Sequence, residues 1–145
     1  MGQYIYKGFV DEDRVTYGFG ANGLFFFNGE IFLRARTLRV DVSKSLEVGE
    51  GADPLVQTIN YSYNVSIAGR RNVFRYCSPH DPDGTDHHVQ HHRHQYDPFG
   101  PDPSRETIRL ITDGDWPVLG QVIEEAESWY WDNHDHLEAL LNART

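Results

Sequence analysis

The chain has 145 residues, 39% of them hydrophobic, with a formal net charge of −9 and a mean hydropathy of −0.60. That length supports one domain with a real core, and no apolar run approaches the ~18 residues needed to span a bilayer. The acidity argues against binding nucleic acid through the global field, and the single cysteine, Cys77, excludes an internal disulfide.

Residues 3–10 (Q-Y-I-Y-K-G-F-V) are aromatic and β-branched and predict a first strand, broken by D-E-D. A second β-like run, Val15 to Phe19, ends at the turn signal G-A-N-G. Leu24 to Phe27 is a short apolar run followed by Asn28-Gly29, a hairpin signal. The next strand starts at Ile31, and its alternation changes phase near Arg36 to Leu38, as a bulge or bend would cause. The segment S-K-S-L-E-V-G-E-G-A-D-P is expected as a loop. The clearest strand has Tyr61, Tyr63, Val65 and Ile67 on one face and Ser62, Asn64 and Ser66 on the other. Ala68-Gly69-Arg70-Arg71 turns the chain, and Asn72 to Cys77 returns antiparallel. A loop leads into a histidine run, Pro98 to Pro103 punctuate its far side, and Thr107 to Ile111 predict one more short strand.

The end reads as helix, with Asp115 as N-cap and Pro117 in the first turn. Leu119, Val122, Ile123, Ala126, Trp129 and Tyr130 form one apolar face. After Asp132-Asn133, Leu137, Leu140 and Leu141 predict a short second helix. The expected class is α+β: an antiparallel sheet of about five to six strands with a C-terminal amphipathic helix packed on it, in a single domain over 1–145.

Between Asp86 and Asp97 stand five of the eight histidines, at 87, 88, 91, 92 and 94. Histidine titrates near neutral pH and its neutral ring ligates metals. On a strand, His92 and His94 face the same way roughly 7 Å apart, with Arg93 on the opposite face. Such a pair can flank one phosphate as general base and general acid. RNA supplies its own 2′-hydroxyl nucleophile, so this cleavage needs no metal. The 13 Asp and 9 Glu face 11 Arg and only 2 Lys. Arg suits bidentate phosphate contacts, and Arg75 or Arg93 could stabilise the phosphorus oxygens. The same Asp-rich, Lys-poor composition suits a salt-rich, halophilic-like cytoplasm. Arg75 and Tyr76, at the end of the hairpin, point to opposite faces, so at most one faces the histidines directly.

The same histidines also permit a metal site. His88, His92 and His94 with His80 form a ligand set for zinc, manganese or another divalent ion, and a helical run would pair His87 with His91 and His88 with His92. Cys77 and His80 form C-x-x-H, although the plainer reading is a buried thiol at a strand end and a loop histidine. A solvated loop is the plain reading of His87, His88 and His91. His134 and His136 read as an exposed helix linker. Trp129, Tyr130 and Trp131 read as core and rim of the helix, with Trp131 left for a partner protein.

The run Y-S-Y-N-V-S-I-A-G-R-R-N-V-F-R-Y-C, a loop, H-H-R-H and a final helix before W-Y-W resembles the TumE-type toxins of prokaryotic toxin–antitoxin pairs. That family has a Tyr-rich strand, a turn, an R-Y strand, an H-(K/R)-H motif and a closing amphipathic helix. Arg75-Tyr76 matches the R-Y, and His92-Arg93-His94 matches the H-R-H. Cys77 departs from the family, which often has Asp there, and the histidine run is longer than usual. The resemblance covers roughly residues 30 to 131, with 1–29 as an N-terminal hairpin addition and 132–145 as a helical tail. It implies a toxin with a cognate antitoxin and an activity on nucleic acid.

Three functions compete. The first is an RNA-cleaving toxin with His92, His94, Arg75 and Tyr76 as catalytic residues and no cofactor. The second is a metal-dependent hydrolase or nuclease, and the third is a non-catalytic interaction protein. A cupin-like H-x-H site is disfavoured, since the Gly and Glu of that pattern are missing. The start M-G-Q-Y-I-Y shows neither a signal-peptide pattern nor a myristoylation site, so the cytoplasm, with no membrane partner, is the expected location. A homo-oligomer remains open at this point.

Overall fold

A computed structural model describes residues 9–21, 23–49, 56–78, 91–112 and 117–142. Among them, eight strands and two helices follow one another: β1 (Val10–Asp13), β2 (Thr16–Phe19), β3 (Leu24–Leu33), β4 (Leu38–Val48), β5 (Val56–Ile67), β6 (Arg71–Cys77), β7 (His92–Tyr96), β8 (Glu106–Leu110), α1 (Leu119–Asp132) and α2 (His134–Asn142). The strands form one sheet in the order β1-β3-β4-β5-β6-β7-β8, with β2 also paired to β3, and every pairing is antiparallel. The α+β plan holds, with more strands than the five to six expected. No described helix is long and apolar enough to cross a membrane.

Several polar or glycine-marked segments that local signals assign to breaks lie inside strands. Residues 3–8 of the expected first strand lie outside the described residues, and Asp11, Glu12 and Asp13, expected as a break, form β1 with Val10. Asp11 accepts the Arg36 amide at 2.8 Å, and Glu12 pairs with Arg14 and Arg36, so these charges are matched at the sheet margin. Asn28-Gly29 is no hairpin, because β3 runs straight through it, which also puts the expected 29/30 boundary inside a strand. Gly29 has φ +151°, and a Cβ there would lie 2.3 Å from the Arg14 carbonyl oxygen. The glycine therefore serves close backbone approach where the chain passes from β1 to β2 along the same flank of β3.

The phase change near Arg36 is a full turn and not a bulge. Arg34, Ala35 and Arg36 all take positive φ (39°, 52° and 61°), a conformation disfavoured without glycine. The Thr37 hydroxyl donates to the Arg34 carbonyl at 2.7 Å and helps hold the turn. The stretch Ser43–Val48, expected as loop, extends β4. Its backbone is paired on both sides, to β3 and to β5, so the polar side chains need no core to hold it in the sheet.

The β5–β6 hairpin forms as the alternation predicts, turning at Ala68 (φ +49°) and Gly69 (φ +74°). Ala68 is exposed, and its left-handed backbone costs roughly 1 kcal/mol that glycine would not incur. Ala68→Gly is therefore expected to raise stability by about 0.5–1 kcal/mol, read from the urea midpoint. A lowered midpoint would mean that the unfolded-chain entropy gained by glycine outweighs the relieved strain. One extra residue in β6 lets both Val73 and Phe74 join the core.

Helix α1 begins at Leu119, after Pro117; the expected cap Asp115 lies outside the described residues. Gln121 Oε1 accepts the Val118 amide at 3.0 Å in place of a capping side chain. Val122, Ile123, Ala126 and Tyr130 of α1 and Leu137 of α2 are buried, as the apolar spacing predicts. They pack with Ile31, Leu33, Leu38, Val40, Val42, Tyr63, Val65 and Phe74, which make up one face of the sheet. The other face is polar. Strand alternation and register place Asp41, Ser43, Ser62, Asn64, Arg75, Cys77, His92 and His94 there. The two described helices thus leave that face to the polar side chains.

Candidate functional site

Strand β7 separates its side chains cleanly. His92, His94 and Tyr96 are buried on the polar face, while Arg93 and Gln95 turn towards the helices. The register pairs His94 with Arg75 and His92 with Cys77 on β6, so these four side chains share one patch. Strand β8 follows, with Tyr96 opposite Glu106 and Ile108 opposite His94.

Glu106 completes the arrangement. His94 Nδ1 lies 2.8 Å from Glu106 Oε2, and His94 Nε2 lies 3.2 Å from Arg75 Nη2. With Glu106 ionised, Nδ1–H donates to the carboxylate and Nε2 accepts from the guanidinium. One neutral imidazole therefore links an acid to a base. Burial alone would raise the Glu106 carboxyl, but hydrogen bonds from Tyr96 and His94 and the nearby Arg75 charge hold it below the usual carboxylate value. Burial pushes the Tyr96 hydroxyl up to about 12, so it remains a donor at neutral pH.

Exposure divides the group. His92 and His94 are 0% and 2% exposed, whereas the Glu106 side chain is 35% exposed and Arg75 is half-buried. The rings pack along β7, with centroids 4.9 Å apart for His92–His94 and 6.2 Å for His94–Tyr96. The two imidazoles expected to flank a phosphate are therefore both buried. Glu106 and Arg75 are the members of the row open to solvent, and His94 lies behind them. Arg75 Nε and Asn64 Oδ1, neighbours across β5 and β6, are buried without a hydrogen-bond partner among the described residues.

Cys77 lies on the same patch. Its ligand atom and those of His92 and His94 all fall within 4.8 Å of one another. Burial pushes the Cys77 thiol up, against Arg75 and Ser62, which favour the thiolate. A free Cys77 is therefore a poor nucleophile, consistent with the plain reading of a buried thiol.

Other expected residues go elsewhere. Tyr76 points to the helix face, where its hydroxyl donates to Glu125 at 2.9 Å. It lines an open cleft of about 430 Å³ with Arg109, Gln121 and Glu125, away from the histidines. Arg93 pairs with Glu125 at 2.8 Å and lies over the rings of Phe74 and Tyr76, so it clamps β7 to α1 and is no phosphate ligand at the histidine patch. His91 turns to that face too, its Nδ1 2.9 Å from the Tyr61 hydroxyl. His134 pairs with Asp135 and Glu138 on α2, and His136 packs edge-on against Phe99, so both serve the helical end. His80, His87 and His88 lie outside the described residues, so the four-histidine metal set is placed only at His92 and His94.

Sequence reasoning missed Glu106 and the pairing of Cys77 with His92. Cys77 was within reach, since Arg75 and Cys77 are two apart on a predicted strand and must share a face. Glu106 was not, because its place depends on the β7–β8 register. Comparisons with family models, with curated proteins and with solved structures find no match for this chain.

Proposed function

We propose that this chain cleaves RNA and acts as the toxin of a toxin–antitoxin pair, with the polar sheet face as its substrate surface. The observation that carries this reading is the hydrogen-bonded row Glu106–His94–Arg75 on a face that the described helices leave open. Glu106, ionised and exposed, takes the proton of a 2′-hydroxyl. The 2′-oxygen attacks phosphorus in line while the P–O5′ bond breaks on the opposite side, solvent water protonates the departing 5′-oxygen, and the carboxyl then releases its proton to solvent. Arg75 donates to the non-bridging oxygens as charge gathers on them. His94 is a positioning residue: it fixes the carboxylate through Nδ1 and the guanidinium through Nε2. The products are a 2′,3′-cyclic phosphate and a 5′-hydroxyl.

The global charge of −9 does not oppose this chemistry, because screening at physiological or higher salt confines each charge to about 8 Å or less. The motif resemblance supports the same assignment and supplies the antitoxin as partner. The direct experiment incubates the purified full chain with total RNA and maps fragment ends. New 2′,3′-cyclic phosphate ends are expected; an RNA pool left intact at equimolar protein would overturn the proposal.

A further inference from the structure

We propose that Cys77, His92 and His94 bind one zinc ion, with the fourth position left to water. The inference shares His94 and Arg75 with the RNA-cleavage reading, because zinc at His94 Nε2 displaces Arg75 from the row, and it rests on three observations of its own. The first is proximity. A tetrahedral site with Zn–N of about 2.0–2.1 Å and Zn–S of about 2.3 Å needs ligand atoms roughly 3.3–3.6 Å apart. The three atoms already lie within 4.8 Å of one another, so closure takes a contraction of about 1 Å.

The second observation is the ring orientation. Glu106 holds the Nδ1–H of His94, which turns the Nε2 lone pair towards Arg75. A carboxylate that fixes one ring nitrogen while the other binds metal is a recurrent support for zinc ligands. Arg75 now donates to that Nε2 and must give way to the ion. Arg75 and Cys77 stand two residues apart on the same face of β6, so the displaced guanidinium stays beside the coordinated sulfur.

The third observation is the donor chemistry. One sulfur and two imidazoles select a borderline-soft ion such as zinc over manganese or magnesium, which prefer oxygen. All three groups are buried, which limits competition from water. Binding displaces the thiol proton to solvent, and no electron changes hands. Manganese, an equal candidate on the histidines alone, does not suit a set that includes Cys77.

The test strips the untagged full chain with a chelator and titrates it with cobalt(II). One cobalt per chain is expected, with a near-ultraviolet thiolate-to-cobalt band and the strong visible bands of tetrahedral coordination. Cys77→Ser should abolish the thiolate band, and His92→Gln should abolish the tetrahedral bands. Glu106→Gln should weaken affinity by about 10–100-fold while keeping the thiolate band at saturating cobalt. Because a buried substitution can unfold the chain, X-ray absorption of the zinc-loaded wild type gives a second readout. A sulfur at about 2.3 Å supports the site, and a shell of nitrogen and oxygen alone overturns it. Absence of the thiolate band in the wild type, or its persistence in Cys77→Ser, also overturns it. A thiolate band without RNA cleavage would overturn only the RNA reading, and cleavage without the band only the zinc site.

Discussion

Glu106→Gln is expected to slow RNA cleavage by about 10²–10⁴-fold, the range that a positioned general base contributes. The amide is nearly isosteric with the carboxylate, and its oxygen still accepts from His94 Nδ1–H, so the row keeps its shape. What is lost is the ability to take the proton of the 2′-hydroxyl. The expected signature is a fall in kcat with little change in KM, because the amide removes a transition-state function and leaves substrate binding alone. Circular dichroism and the thermal midpoint serve as the folding control. Turnover close to that of the wild type, with the fold intact, would take Glu106 out of the chemistry.

Arg75→Ala is expected to lose about 10²–10³-fold in kcat/KM, the scale of one donor to a developing oxyanion. The guanidinium meets His94 through Nη2 and keeps a buried Nε–H that no described residue satisfies. On the proposed reading, a phosphate oxygen would supply the acceptor that this N–H lacks. Arg75→Lys keeps the charge and loses the planar fork, so only part of the activity should return. That graded order separates a phosphate contact from a purely structural role, which would follow side-chain bulk and show in the unfolding midpoint. Equal activity of the alanine and lysine variants would argue that the positive charge is not used.

The parts of the fold read correctly from sequence are those set by near neighbours. The β5–β6 hairpin follows from the alternation of Tyr61, Tyr63 and Val65 and from the Ala68-Gly69 turn. The helices follow from apolar spacing around Ile123 and Leu137. Strand parity alone places Arg93 opposite His92 and His94, and Tyr76 opposite Arg75. The misread parts depend on distant chain. Asn28-Gly29 carries the local signal of a hairpin, and only the approach of Arg14 and Val15 shows why the glycine is needed within a strand. Arg34 to Arg36 turn without a single glycine, so no residue type announces them. Glu106 joins His94 through a register that the Pro98–Arg105 connection sets and composition does not reveal. The burial of His92 and His94, at 0% and 2% exposure, is likewise not announced by composition.

The pairing of both β1 and β2 to β3 has a consequence for self-association. A long, flat outer strand is a template for edge-to-edge aggregation. Among the described residues, that flank is divided into two pieces of four residues each, offset at Gly29, and neither piece is long enough to seat a long incoming strand. Among the described strands, the opposite flank ends on β8, five residues long and exposed throughout. Among the described strands, the surface open to sheet-to-sheet growth is therefore broken at one margin and limited at the other to the short strand that carries Glu106.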